Sequence, residues 1–377
     1  MARKTVFPHL HIILQCEDYG SRLWPIAREQ EPACAAPVEP GSSECLLANT
    51  LKRLMPFTAE QVHVVTTQAL APVVGALLSK RCRLKEGDYE MLVQPVERGS
   101  AFAVALAAAR IRRLDPQAVV LVSRTDQRVA LDERWEHVLF DAYQVALQDQ
   151  LAVLGGVQET KCSAWTYIRK GKAFPGVADT FNVRLFTADQ NPSVAKRVCG
   201  QGAYWYTGVL VARAALLLGE LKGAGALALT KESADSHRIA ETANFLAQLE
   251  PSDWLNEAAQ GLIEALPSDS IEKGLLEVSK RLVLVPTGVR FDALSSLEDI
   301  DSLAEPTREG NRMVGESTLT RCRNTTVYSK GSSRKVVALG LKDVMVVELD
   351  DMTLVVSKDQ LDNMDDARSD FESWRDR

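Results

Sequence analysis

The first half of the chain alternates short apolar runs with segments whose apolar residues recur at three and four positions. That is the pattern of a parallel sheet covered by helices on both faces. The runs Leu10 to Leu14, Val62 to Thr66, Glu90 to Pro95, Ala118 to Val122 and Leu151 to Val157 predict strands. Glu44 to Leu54, Ala69 to Lys80, Ser100 to Leu114 and Asp132 to Gln150 predict the helices between them. Such a sheet places its ligand outside the carboxyl ends of its strands, which directs attention to Cys16 to Arg28, Glu97 to Ser100 and Arg124 to Gln127.

Two strand-like runs follow, Trp165 to Arg169 and Val183 to Ala188, and then a helix-rich stretch reaching about Lys280, an arrangement that predicts an insertion over the ligand edge of the sheet. A further strand is expected over Arg281 to Pro286. After about Asp299 the runs become short and are broken by Gly, Asn, Ser and Asp: Thr325 to Tyr328, Lys335 to Leu339, Val344 to Leu349 and Met352 to Val356. They predict a small all-β module, with Asp362 to Arg377 as a closing acidic helix or tail.

Composition narrows the partners. The 377 residues are 46% apolar and 25% charged, with 44 Lys and Arg against 50 Asp and Glu, so no basic excess marks a nucleic-acid or acidic-membrane binder. The longest apolar run, Ala101 to Ala109, is too short for a membrane helix, and the start Met-Ala-Arg-Lys-Thr carries no signal-peptide core. Both observations predict a cytoplasmic protein. Seven scattered cysteines without a C-x-x-C pair predict reduced thiols rather than disulfides or a zinc site.

Gly20-Ser21-Arg22-Leu23-Trp24-Pro25, placed after the first strand, resembles the Gly-Gly-x-Gly-x-Arg-Leu-Trp-Pro motif of the nucleotide-sugar pyrophosphorylases, most closely the bacterial mannose-1-phosphate guanylyltransferases. The likeness continues in order along nearly the whole chain. Glu97-Arg98-Gly99-Ser100-Ala101 stands against that family's Gly-Arg-Asn-Thr-Ala, and Tyr204-Trp205-Tyr206-Thr207-Gly208 against Tyr-x-Trp-Asn-Ser-Gly. Ser270-Ile271-Glu272 stands against Ser-Ile-Asp, and Leu341 to Glu348 against Leu-x-Asp-x-Val-Val-Val-Glu. The cupin-type isomerase half of longer members is expected to be absent, since the chain stops where it would begin.

The resemblance implies an α/β fold, with a Rossmann-like, mixed, mostly parallel sheet forming a nucleotidyltransferase domain over residues 1–299. A small C-terminal β-rich, β-helix-like module with an acidic helical tail would fill 300–377. It implies attack of mannose 1-phosphate on the α-phosphate of GTP, giving GDP-mannose and pyrophosphate, by positioning and charge neutralisation around Mg²⁺. Carried over residue by residue, Arg22 becomes the candidate catalytic cation. Gly20, Ser21, Arg28, Arg98, Thr207, Gly208 and Glu272 become candidates for nucleotide and substrate binding, and Asp126 and Asp292 for Mg²⁺.

Plainer roles stand beside each of these. Gly20 to Pro25 could be a strand-to-helix turn with Trp24 as packing, and Arg22 and Arg98 could be ion-pair partners. Asp126 and Asp292 could be turn formers or helix caps, and Tyr204, Trp205 and Tyr206 could be core rather than a stacking platform for a sugar.

The chain also departs from the pattern where the chemistry would lie. Glu17 and Asp18 replace the paired glycines, placing two carboxylates before a polyanion. Pro-Lys-Gln-Phe reads Pro32-Ala33-Cys34-Ala35, and Phe-Val-Glu-Lys-Pro lies opposite Phe186-Thr187-Ala188-Asp189-Gln190. Together these changes move the site by about five charge units toward negative, away from what GTP needs. They predict a catalytically impaired paralogue acting as a regulatory or scaffolding partner, as a homo-oligomer or with an active guanylyltransferase. The alternatives are an active divergent sugar-1-phosphate nucleotidylyltransferase, with arginines replacing lysines, and a sensor that binds finished GDP-mannose.

Overall fold

The computed structural model describes residues 5–18, 20–28, 30–39, 42–130, 132–157, 166–188, 202–224, 236–330 and 334–375. Its frame is a nine-stranded sheet in the order β3-β2-β1-β4-β9-β6-β10-β8-β7. The strands are β1 (Leu10–Cys16), β2 (Val62–Thr67), β3 (Tyr89–Gln94), β4 (Val119–Arg124), β6 (Leu151–Gly156), β7 (Tyr167–Ala173), β8 (Phe181–Thr187), β9 (Tyr204–Arg213) and β10 (Leu282–Thr287). Strands β1 to β4 run parallel, and β6 runs parallel to β10. The central strands β1, β4 and β6 are buried on both faces, which is why they read as unbroken apolar runs rather than as an alternation.

Helices cover both faces. On one face pack α3 (Gly99–Leu114), α5 (Ala214–Ala224) and α6 (Ser236–Leu246), around Phe102, Leu106, Leu217 and Leu246. On the other lie α1 (Leu46–Leu54), α2 (Ala71–Ala76) and α4 (Arg134–Leu147), around Leu51, Val74, Trp135 and Leu139. Ala101 to Ala109 are all buried in α3, so its Ala-rich run is a helix enclosed by protein, and its small side chains let it sit close to the sheet. Helix α2 continues as a wider turn over Leu77–Arg81.

Two expectations are revised. The stretch expected to be helix-rich contains β9, a ten-residue strand antiparallel to both β4 and β6 in the middle of the sheet. Its run Tyr-Trp-Tyr-Thr-Gly-Val-Leu-Val-Ala-Arg has no alternation because both faces are covered, and periodicity cannot distinguish such a strand from a buried helix. The two runs expected as an insertion instead extend the sheet: β8 pairs antiparallel with β10, and β7 pairs with β8 and with β9 through Tyr167 and Ile168. The sheet is therefore mixed, parallel in its first half and antiparallel around β9 and at the β8–β7 edge.

A two-stranded ribbon pairs β5 (Gln127–Val129) with β11 (Phe291–Ala293) beside the carboxyl end of β4. The C-terminal region holds β12 (Arg312–Val314), β13 (Ser317–Thr320), β14 (Thr326–Ser329), β15 (Val336–Leu339), β16 (Val344–Glu348) and β17 (Thr353–Ser357). Strands β12, β14 and β16 pair in parallel, and so do β13 and β15, so the chain feeds two small sheets in alternation before β17 returns antiparallel. A third apolar cluster joins this region to the loop after β1: Leu23, Trp24 and Ala33 pack with Leu294, Tyr328, Met345 and Met364. The closing helix α8 (Met364–Arg375), expected from sequence, lies on this cluster, with Phe371 5.8 Å from the Trp24 ring.

Candidate functional site

The carboxyl ends of β1 and β4 open onto a cleft of about 240 Å³. The loop after β1 gives it Asp18, Gly20, Ser21 and Arg22, and the end of β4 gives Arg124. Ser270, Glu272 and Lys273 line it from the turn before β10, and Thr166, Ala188 and Ser295 complete the wall. Of the residues singled out by sequence, Gly20, Ser21, Arg22 and Glu272 thus meet in one cavity.

The loop after β1 is built by its acids. Gly20 sits at φ +86° and donates its N–H to the Asp18 side chain at 2.7 Å. A Cβ on Gly20 would lie 2.8 Å from that of Ala33, so glycine is needed for the left-handed turn and for the close packing. Ser21–Leu23 then forms a short 3₁₀ turn, with Arg22 exposed at its tip.

Glu17 turns the other way. It is buried, receives a bond from the Gln15 amide at 3.3 Å, and its second oxygen has no partner. Burial pushes its pKa up to about 8, and Asp18 and Glu97 add to the shift. Glu17 is therefore neutral at pH 7. The expectation of two carboxylates facing a polyanion is corrected to one, Asp18.

Arg124 lies along Asp126, its Nε 3.2 Å from Oδ1 while Nη2 bonds Oδ2. The Asp126 carboxylate, with Glu272 and Asp18 further off, raises the guanidinium's pKa and keeps it charged. Gly208, at φ +76°, leaves room for this side chain: a Cβ there would come within 2.7 Å of Arg124 Cδ. Beneath the turn, the buried Arg53 donates to Ser123 Oγ at 2.9 Å, with the Trp135 and Phe291 rings 5.8 and 5.7 Å from its guanidinium. Sequence reasoning did not select Arg53 or Lys273. Arg124 fell within a flagged strand-end segment but was not chosen, although its position is the signal that finds it.

The other sequence candidates have partners outside the cleft. Asp292 receives Arg128 at 2.7 and 3.1 Å and Arg290 at 2.8 Å. Each oxygen of the two carboxylates expected to hold Mg²⁺ thus accepts from an arginine, and among the described residues no three His, Cys, Asp or Glu are grouped to hold a metal. In this arrangement Asp126 and Asp292 do not fit a cation. Arg28 forks onto Asp351 of the C-terminal region at 2.5 and 2.9 Å, rather than reaching the cleft.

Arg98 donates to the carbonyls of Ile263 and Glu264, at 3.2 and 2.9 Å, and so caps the end of α7 (Glu257–Glu264). Thr207 is buried and bonds the Leu154 carbonyl at 3.1 Å. Tyr206 is buried edge-on to Phe186, and Trp205 packs edge-on to Phe291, so both rings serve packing. Asp189 and Gln190 lie outside the described residues.

Comparison with known proteins agrees with this layout. The family model described as Nucleotidyl transferase matches residues 12–224, more than half of the chain. The chain is 25% identical over 369 residues to the mannose-1-phosphate guanylyltransferase of Escherichia coli K12, covering 97% of this chain and 73% of that one. It is 26% identical over 358 residues to the xanthan biosynthesis protein XanB of Xanthomonas campestris, covering 94% and 71%. Among solved structures it resembles one described as a mannose-1-phosphate geranyltransferase from Thermus thermophilus. That match has a TM-score of 0.77 at 22% identity and covers 97% of this chain and 99% of that one, a likeness of fold.

Proposed function

We infer, from the premise that this chain belongs to the nucleotidyl transferase family, that it is a mannose-1-phosphate guanylyltransferase-like protein without turnover. Its role in this reading is that of a regulatory or scaffolding partner in nucleotide-sugar and polysaccharide biosynthesis. The observation that carries the reading is the bond from the Gly20 N–H to Asp18. Phosphoryl transfer is catalysed by positioning and charge neutralisation. Here the backbone donor at the head of the loop is occupied by the protein's own carboxylate, and Asp126 and Asp292 present their oxygens to arginines.

The reading divides the chain into a nucleotidyltransferase domain over 1–299 and a short β-helix-like coil over 300–377, in a cytoplasmic protein. The coil is the surface we assign to the partner, a second copy or an active guanylyltransferase. Val337, Leu339 and Val355 stand 72, 66 and 63% exposed on it, which is unusual for apolar strand residues without a partner.

A second reading, an active divergent sugar-1-phosphate nucleotidylyltransferase, is favoured by Arg22, Arg124 and Lys273, three cations lining one cleft. A third, a sensor of GDP-mannose, asks the same cations to neutralise a diphosphate rather than a triphosphate. Titration calorimetry of the folded protein with GTP and with GDP-mannose, each with Mg²⁺, separates the three when run beside an assay for pyrophosphate release with mannose 1-phosphate. The first reading expects no turnover, and recovery of a sugar-nucleotide enzyme or a second copy in a pull-down. Formation of a nucleotide sugar overturns it, and GDP-mannose binding without turnover moves the assignment to the sensor.

A further inference from the structure

His11, His63 and Glu90 are the second residues of β1, β2 and β3, at the end of the sheet away from the cleft. Both imidazoles are buried, 5 and 2% exposed, and their ring centroids are 5.8 Å apart. His63 Nδ1 lies 3.1 Å from Glu90 Oε2, and the other Glu90 oxygen accepts from Arg110 Nε of α3 at 3.3 Å. His11 Nε2 lies 3.2 Å from Oδ2 of Asp115, the residue that follows α3. The pair thereby ties the carboxyl half of α3 to three strands, through Arg110 and Glu90 on one side and through Asp115 on the other.

These bonds suit neutral rings. A carboxylate accepts, so each bonded ring nitrogen carries the hydrogen and the opposite nitrogen is an acceptor. In His11 that opposite atom, Nδ1, is buried without a partner, and a proton placed there would be a donor with no acceptor. A charge on one ring would also oppose a charge on the other. Counter-charge around the pair is already divided. Asp115 Oδ2 is shared with His9 Nδ1 at 2.8 Å, and Glu90 is engaged by Arg110, which also faces Glu250 at 3.7 Å. Glu60, before β2, acts from further off, and β4 sets the apolar Val120 beside His11. Burial lowers the His11 pKa below its ordinary 6.5, with the Asp115 bond opposing the shift. The fold therefore favours neutral His11, and this part of its stability is complete above about pH 6.5 and is lost as pH falls.

We propose that the His11–His63 pair is a proton-operated latch, which holds the carboxyl half of α3 on the sheet at neutral pH and releases it when mild acid charges the rings. The latch reaches the cleft through the other end of the same helix. In the first turn of α3 the Ala101 N–H donates to the Asp269 carbonyl at 3.1 Å, and Ser100 Oγ accepts the Ile271 N–H at 2.9 Å. A Cβ on Gly99 would lie 2.3 Å from the Asp269 carbonyl oxygen, so helix and turn are in close contact there. Ser270, Glu272 and Lys273 of that turn line the cleft, and how firmly this wall is held depends on the seating of α3. The device is independent of whether the cleft supports turnover.

Amide hydrogen exchange of the full chain, read by mass spectrometry between pH 7.5 and 5.5 and corrected for the intrinsic rate, tests the latch. In the wild type, protection over residues 104–117 and 269–273 is expected to fall at least threefold in acid, while residues 46–54 of α1 keep theirs. His11→Gln keeps a donor for Asp115 but takes no charge, and should abolish the fall. His63→Asn keeps a donor for Glu90 and removes the second charge, so the loss should begin only at lower pH. The wild-type profile stands alone should a variant fail to fold. Unchanged wild-type protection over 104–117, an equal loss over 46–54, or a fall that persists in His11→Gln overturns the latch. Loss over 104–117 with 269–273 unchanged overturns its link to the cleft.

Discussion

The carboxylate of Asp18 accepts the backbone N–H of Gly20 at 2.7 Å, so the turn after β1 closes on a side chain of its own chain. Successive backbone N–H groups at a left-handed turn after a strand form a concavity suited to an anion. Here an anion is already built in. It preserves the turn that Trp24 and Ala33 need for packing, at the expense of the charge a polyphosphate would require.

Asp18→Asn separates charge from geometry, since the amide oxygen can still accept from Gly20. Two charges about 4 Å apart interact by roughly 4 kcal/mol at an effective dielectric near 20, and less at an open cleft. Removing the carboxylate is expected to strengthen GTP binding by about tenfold in low-salt calorimetry, with the gain shrinking as salt is added. Equal affinities for variant and parent would place Asp18 outside the reach of the phosphates.

Glu17 makes stability depend on pH. Its folded pKa is about 8, raised mainly by burial, while in the unfolded chain it ionises near the ordinary value of 4.5. Between those values the folded state holds the extra proton, so stability falls as pH rises through this window and levels off above it. The slope is at most about 1.4 kcal/mol per pH unit. Glu17→Gln should remove this fall and be the more stable protein at pH 8 in urea titrations. Parallel stability profiles for the two proteins would show that Glu17 ionises freely in the fold.

Much of this was legible in the sequence. The strands β1 to β4 and their helices are unbroken runs alternating with a period near 3.6, and the strand-end rule located the cleft from the order of elements alone. What remained hidden depended on direction. Glu17 and Asp18 are neighbours of like chemistry, yet one points into the core and the other onto an amide. The Arg124–Asp126 pair spans two residues, but its closeness rests on Gly208 of another strand.

Gly208→Ala tests the support beneath Arg124. The new methyl would have to occupy a left-handed backbone and would come within 2.7 Å of Arg124 Cδ. The expected cost is about 1–3 kcal/mol. Gly219→Ala is the control: it lies in α5 with nothing within 4 Å of the added methyl, and should stabilise by about 0.5–1 kcal/mol. Urea midpoints that move the same way in both variants would remove the Gly208–Arg124 contact as the cause.

The C-terminal region is held to the loop after β1 by two contacts of very different worth. Arg28 makes a two-pronged bond to Asp351, but the Asp351 side chain is 61% exposed, so water competes for both partners. Arg28→Ala is expected to cost less than about 1 kcal/mol. Trp24 is buried among Met345, Met364 and Phe371, and Trp24→Ala should cost about 3–5 kcal/mol and make the C-terminal region sensitive to limited proteolysis. Because Arg28 is engaged with Asp351, its loss should leave nucleotide affinity unchanged in the same calorimetric titration. A clear fall in affinity for Arg28→Ala, with stability retained, would instead return Arg28 to the phosphates and imply that the loop swings from the C-terminal region toward the cleft when ligand binds.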